Sequence, residues 1–287
     1  SIKEPLSYYP DGKKDTPFRR KISMARFAEH FSGIRNPEIK FIWIERGNPL
    51  TQLPDSEKVS GAIASAGFRV VVEQFMTDTA RMADIILPAK GIFEQPDIIG
   101  SYWNPYVQYK PAITDCPGEV MPESEIYYRL AKLMSLCPAE DNPLPEPGNE
   151  NTEKWLSEKI NSLNEVTLDE LKKGPYLPSA FQEIAFSDLK FCTPSGKIEL
   201  LSSQAKELWD VSELPSYVPL PDQPVATGML RLMTPNISSR IHSQFGNLET
   251  IKAVSEPPAW ELSPSDASAL GLTDGDNIKI SNANGSV

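Results

Sequence analysis

Residues 41–73 read FIWIERGNPLTQLPDSEKVSGAIASAGFRVVVE, and the succession of residue types in that stretch decides the fold. Phe41-Ile42-Trp43-Ile44 is short, apolar and partly β-branched, the composition of a strand covered on both faces. Gly47-Asn48-Pro49 follows directly as a turn. Asp55 is placed to cap a helix running to about Ala66, and Phe68-Arg69-Val70-Val71-Val72 is a second buried strand. A strand, a turn, a helix and a strand in that order predict a parallel βαβ crossover.

Working outward, Ile22, Met24, Phe27, Ala28 and Phe31 fall at helical spacing before Gly33 and Pro37 break the pattern. Downstream, Asp84-Ile85-Ile86-Leu87-Pro88 reads as a third strand, with Asp84 as its anchor and the proline as its stop. Ser124 is expected to cap a helix in which Ile126, Leu130, Leu133, Met134 and Cys137 share one face. The stretch from Cys137 to Asn151 reads as a surface loop, residues 152–163 and 167–173 as outer helices, and residues 190–201 as a β-hairpin around Pro194-Ser195-Gly196. These pieces predict an α/β domain over residues 1–213, doubly wound around a mainly parallel sheet. Its ligand crevice should lie at the carboxyl ends of the strands.

Residues 214–224 carry four prolines and no periodicity, so residues 214–228 read as a linker. Over residues 229–287 the pattern turns β-rich, with strands at Leu230–Met233 and Asn277–Ile280 flanking a capped helix at Ser263–Leu270. The hairpin signal Asn284-Gly285 has no expected returning strand, which predicts a truncated domain. Residues 1–16 likewise read as the interior of a longer protein.

With 40% hydrophobic residues in 287, the chain can bury a substantial core. Its 39 acidic against 28 basic residues give a net charge of −11, which argues against nucleic acid or an anionic membrane as partner. No apolar run approaches the roughly 20 residues of a membrane helix. Cys116, Cys137 and Cys192 lie far apart and the only histidines are His30 and His242, which excludes a zinc or iron–sulfur site built from local ligands.

Several segments, taken in order, carry a resemblance. They are Gly47-Asn48-Pro49-Leu50 with Leu53-Pro54-Asp55, then Val70–Glu73, then Thr77-Asp78-Thr79-Ala80-Arg81-Met82-Ala83-Asp84 running on to Ala89. Later come Phe191–Leu200, Leu230–Asn236 with Ile241–Phe245, and Leu270–Asp276. Together they resemble the molybdopterin oxidoreductases, the family of dimethyl sulfoxide reductase, formate dehydrogenase and periplasmic nitrate reductase. The resemblance implies that residues 229–287 begin a β-barrel of double-psi type. It also implies a molybdenum or tungsten ion between two pterin dithiolenes, each extended to a molybdopterin guanine dinucleotide.

By the same resemblance, Asn48, Glu73, Gln95 and Glu125 are cofactor contacts in the α/β domain. Thr234, Asn236, His242, Ser243 and Gln244 form the loop directed at the pterins. Asn236 stands where many relatives carry arginine, and residues 96–108 replace the usual stretch with the aromatic cluster Tyr102-Trp103-Asn104-Pro105-Tyr106, expected to pack in the core or to shape an entrance. Read alone, Glu73 and Glu125 are first solvated surface acids, and His242 first a structural histidine. No catalytic residue or metal ligand transfers. The iron–sulfur cluster of relatives is expected only in an upstream segment, and the expected partners are the rest of the polypeptide and an electron-transfer subunit. An isolated piece of this kind should be inactive. The rival reading is a noncatalytic relative, such as the large subunit of respiratory complex I, using the fold as a scaffold.

Overall fold

A computed structural model describes residues 22–35, 38–138, 141–218, 229–235, 238, 241, 244–255, 259–282 and 285–286. It is a mixed α/β structure whose parallel sheet has the strand order β1 (Phe41–Glu45), β2 (Phe68–Glu73), β3 (Ile85–Pro88). The described residues fall into two compact units, one of residues 22–71, 76–85 and those from 229 onward, the other of residues 72–75 and 86–218.

In the first unit, helices α1 (Phe27–Ser32), α2 (Pro49–Gln52) and α3 (Ser56–Ala64) surround β1 in sequence. Asp55 caps α3 as the sequence predicts, its side chain accepting the Lys58 N–H at 3.2 Å. Val59, Ala62, Ile63 and Ala66 recur at i, i+3, i+4 and i+7 and are all buried. They meet Ala28 and Phe31 of α1, with Ile42, Ile44, Leu50, Leu53 and Met82 packed around them. Val70, Val71 and Val72 of β2 are buried in succession, as a strand covered on both faces requires. The connection into β2 is tight: a Cβ on Gly67 would stand 3.0 Å from the Lys40 carbonyl oxygen.

Asp84 anchors a strand, as expected. Its Oδ2 accepts the Arg69 main-chain N–H and its Oδ1 the Arg69 guanidinium, both at 2.8 Å. The same guanidinium donates to the carbonyls of Ala64, Ala66 and Met82 at 2.9–3.1 Å. The main-chain hydrogen bond first, and the guanidinium after it, hold the Asp84 carboxyl below the usual aspartate range.

The second unit continues from β3 through an antiparallel hairpin, β4 (Asp97–Ile99) and β5 (Gln108–Lys110), to helices α4 (Glu123–Leu133), α5 (Asn149–Asn161) and α6 (Leu168–Leu171). Ile160, Val166, Leu168 and Leu171 form its core against Ile98, Val107, Tyr109 and Tyr176. Thr167 and Glu170 close α6 with a reciprocal capping box. The Tyr109 hydroxyl donates to Glu153, which also receives Lys172 at 2.6 Å. Burial, then the Glu153 carboxylate, pushes the Tyr109 phenol well above its usual range.

Several expectations are corrected. Helix α4 starts at Glu123 behind Pro122, whose fixed backbone angle sets the entry, so Ser124 lies inside the helix and caps nothing. Helix α5 starts three residues early, at Asn149, behind Gly148 at φ 114°. Among the described residues, 190–201 turn at Thr193–Gly196 but pair no strands, and 230–233 are exposed and belong to no strand. In their place a helix, α7 (Ser203–Trp209), follows, and α8 (Glu249–Val254) precedes the expected α9 (Pro264–Leu270), capped by Ser263. Residues 277–280 form no strand; instead β6 (Ser281–Asn282) pairs antiparallel with β7 (Gly285–Ser286), a returning strand the sequence reading denied.

Candidate functional site

In the first unit the loop after β1 leaves the strand through Arg46, whose φ of 50° is left-handed, and reaches Asn48. Asn48 is 8% exposed and Thr79 is 0% exposed, and burial obliges both to satisfy their polar groups within the protein. Asn48 Oδ1 accepts the Thr79 hydroxyl at 2.6 Å and the Thr79 N–H at 3.3 Å. The Thr79 oxygen in turn accepts the Leu50 N–H at 3.2 Å. Asn48 Nδ2 donates to Thr51 Oγ1 at 3.0 Å, and that hydroxyl donates to Asp78 Oδ2 at 3.3 Å. The Asn48 N–H goes to Gln52 Oε1, and its carbonyl accepts from Thr51 and Gln52. Each threonine hydroxyl therefore donates once and accepts once, in a ring joining residues 48–52 to residues 78–79.

Among the described residues, this arrangement leaves Asn48 one uncommitted hydrogen, on Nδ2. Thr79 is the residue that sequence reasoning missed. It lies in a family-like segment, but a threonine in a polar loop gives no sign of burial, and its partner is 31 positions away.

In the second unit, Glu73 ends β2. Its carbonyl accepts the Ala89 N–H, and its Oε1 accepts the Gln74 N–H at 2.7 Å. The Gln74 side chain donates to the Lys90 carbonyl at 2.8 Å. Met121 extends the ladder beyond β3 in parallel, with Met121 N–H bonded to Pro88 O and Lys90 N–H to Met121 O. Two residues later α4 begins, and Glu125 in its first turn receives Arg129 at 2.6 Å. Glu73 and Glu125 are thus brought to the same end of one ladder, linked through Ala89, Lys90 and Met121. Gln95 is half-buried in the connection from β3 to β4, and its carbonyl holds the Lys110 ammonium. Among the described residues, Glu73, Gln95 and Glu125 share no hydrogen bond with one another.

Of the C-terminal loop, Thr234 is exposed, and Gln244 is exposed with its N–H on the Ile241 carbonyl at 2.9 Å. Asn236, His242 and Ser243 lie outside the described residues. The aromatic cluster tips the β4–β5 hairpin with Tyr102 at 106% and Trp103 at 95% exposure, which rules out the expected core packing of those two rings. No group of three His, Cys, Asp or Glu side chains is arranged to hold a metal among the described residues. All three cysteines are unpaired thiols, and no described helix is long and apolar enough to cross a membrane.

Residues 13–133 match the family model of the molybdopterin oxidoreductases, and residues 230–287 that of the molydopterin dinucleotide binding domain. The probable oxidoreductase YyaE of Bacillus subtilis is 32% identical over 93% of this chain and 40% of its own length. The nitrate reductase of Shewanella frigidimarina is 27% identical over 88% of this chain and 28% of its own. Among solved structures, acetylene hydratase from Pelobacter acetylenicus superposes with a TM-score of 0.66 at 22% identity, over 89% of this chain and 35% of that one, and so shares the fold. The chain spans about two fifths or less of the relatives it matches. With both matches falling in order along it, the chain belongs to the molybdopterin oxidoreductase family.

Proposed function

We propose that this chain is the cofactor-cradling part of an oxidoreductase that holds molybdenum or tungsten between two molybdopterin guanine dinucleotides. The carrying observation is the ordered pair of family matches, the first running over β1, β2, β3 and α4 and the second over residues 230–287. The polar character of the strand-end loops supports the same reading. In this proposal residues 1–213 form a doubly wound α/β domain, 214–228 a linker and 229–287 the start of a double-psi barrel; a second match beginning at 230 supports that division.

The residues present suit such a group. A guanosine offers ring N–H and ribose O–H donors, and Glu73 answers with an acceptor, since only its Oε1 is engaged among the described residues. Gln95 and the second oxygen of Glu125 offer further hydrogen-bonding capacity, Arg129 occupying Oε1 alone. The remaining Nδ2 hydrogen of Asn48 supplies a donor. Thr234, Asn236, His242, Ser243 and Gln244 would line the pterin side. A protein of net charge −11 must hold an anionic dinucleotide through local donors of this kind rather than through its overall field.

When bound, the metal dithiolene supplies a centre that exchanges two electrons; the chain's own residues bind, orient and shield it. An iron–sulfur cluster, where present, belongs to an upstream segment, and the partners are the remainder of the polypeptide and an electron-transfer subunit. The test is elemental analysis for molybdenum and tungsten, with pterin fluorescence after oxidation, on the longer protein containing this chain. Near-stoichiometric metal and two pterins per polypeptide are expected; absence of both refutes the proposal.

A further inference from the structure

We propose that Thr79 is a positioning residue, whose hydroxyl locks the Asn48–Gln52 loop so that the Asn48 carboxamide offers a ligand only a hydrogen-bond donor. The inference rests on the cofactor reading above and deepens it. Thr79 is fully buried, and its hydroxyl makes two bonds of opposite sense, donating to Asn48 Oδ1 at 2.6 Å and accepting from Leu50 N–H at 3.2 Å. The first bond, together with the Thr79 N–H at 3.3 Å, occupies both lone pairs of the carboxamide oxygen. The second ties down a main-chain donor in the first turn of α2. With Nδ2 fixed toward Thr51, the amide cannot flip without breaking three contacts at once. The polarity shown to a ligand is therefore set by a side chain that itself faces none. A donor at this point suits a carbonyl, phosphate or pterin-ring acceptor, whereas a flipped amide would oppose it with an oxygen.

The test uses Thr79→Val, which keeps shape and removes the hydroxyl, and Thr79→Ser, which keeps the hydroxyl. Two readouts are needed: amide hydrogen exchange at Leu50 relative to Val70–Val72, and pterin and metal content of the longer protein. In Thr79→Val, exchange at Leu50 should rise about tenfold while Val70–Val72 hold, and cofactor content should fall about tenfold, the weight of one net hydrogen bond. Thr79→Ser should stay within about twofold of the parent in both. Thr79→Cys, with a weak S–H group, covers the case in which the valine variant does not fold, and should shift both readouts the same way by less. Unchanged exchange at Leu50, or a rise shared equally by Val70–Val72, overturns the inference, because Thr79 would then be ordinary core. If the parent retains pterin and Thr79→Val retains as much, the inference alone falls. If the parent carries no pterin, the cofactor reading falls and takes the inference with it.

Discussion

Asp84 shows how much a single residue discloses in advance. A polar residue opening an apolar run reads as an anchor, but its partner cannot be named from the sequence, since Arg69 is fifteen positions upstream and reaches it only across paired strands. Asn48 and Thr79 pose the same difficulty in a sharper form, because nothing local distinguishes a threonine that is sealed from one that is wet. Asp84 also makes the pH dependence of this region calculable in sign. Its carboxyl is held down in the folded state by the Arg69 N–H and guanidinium, so its contribution is present at neutral pH. That contribution fades as pH falls below the ordinary aspartate value near 4 toward the lower folded value. Asp84→Asn should therefore lower the urea midpoint at pH 7 and lower it less at pH 3, below the ordinary aspartate value, where the carboxylate's contribution has begun to fade. A gap between parent and variant that is constant from pH 7 to pH 3 would remove the carboxylate from the explanation.

At the scale of elements, the readable parts are those whose partners lie close in sequence. Helix α3 was legible because Asp55 caps it and Val59, Ala62, Ile63 and Ala66 mark one face; β1 and β2 were legible because continuous apolar runs need cover on both sides. The failures share a different cause. Residues 190–201 read as a hairpin and 230–233 as a strand, yet Leu200 is 73% exposed and Met233 80% exposed, and among the described residues neither segment has a strand paired with it. Strand propensity expresses fit to a half-buried pleated surface, so a segment can satisfy the pattern and remain unpaired when its own unit supplies no such surface. The close approach at Gly67 is another feature that only folding reveals, because the sequence shows a glycine and not the Lys40 carbonyl it lies against. Gly67→Ala should push the entry to β2 away from the Lys40 carbonyl and cost about 1–3 kcal/mol, as overpacking does. Thermal unfolding would register this as a fall in Tm; an unchanged or raised Tm would mean that the Lys40 carbonyl yields freely.

For the molecule as a whole, the decisive relation is between what the chain holds and what two-electron chemistry demands. It offers hydrogen-bonding groups at strand ends, but its thiols are scattered: Cys116 bonds weakly to the Glu94 carbonyl, Cys137 is half-buried and Cys192 is exposed. No set of three metal-ligating side chains converges among the described residues. The relatives it matches are more than twice as long, so a cofactor gripped by this chain alone would lack much of the wall that surrounds it in an intact enzyme. On the proposed function, the chain purified alone should accordingly give no turnover in dye-linked redox assays, whichever oxyanion, formate or sulfoxide is supplied. Turnover by the chain alone, proportional to its concentration and abolished with it by immunodepletion, would mean that a complete redox centre assembles on these 287 residues and that no other segment is needed.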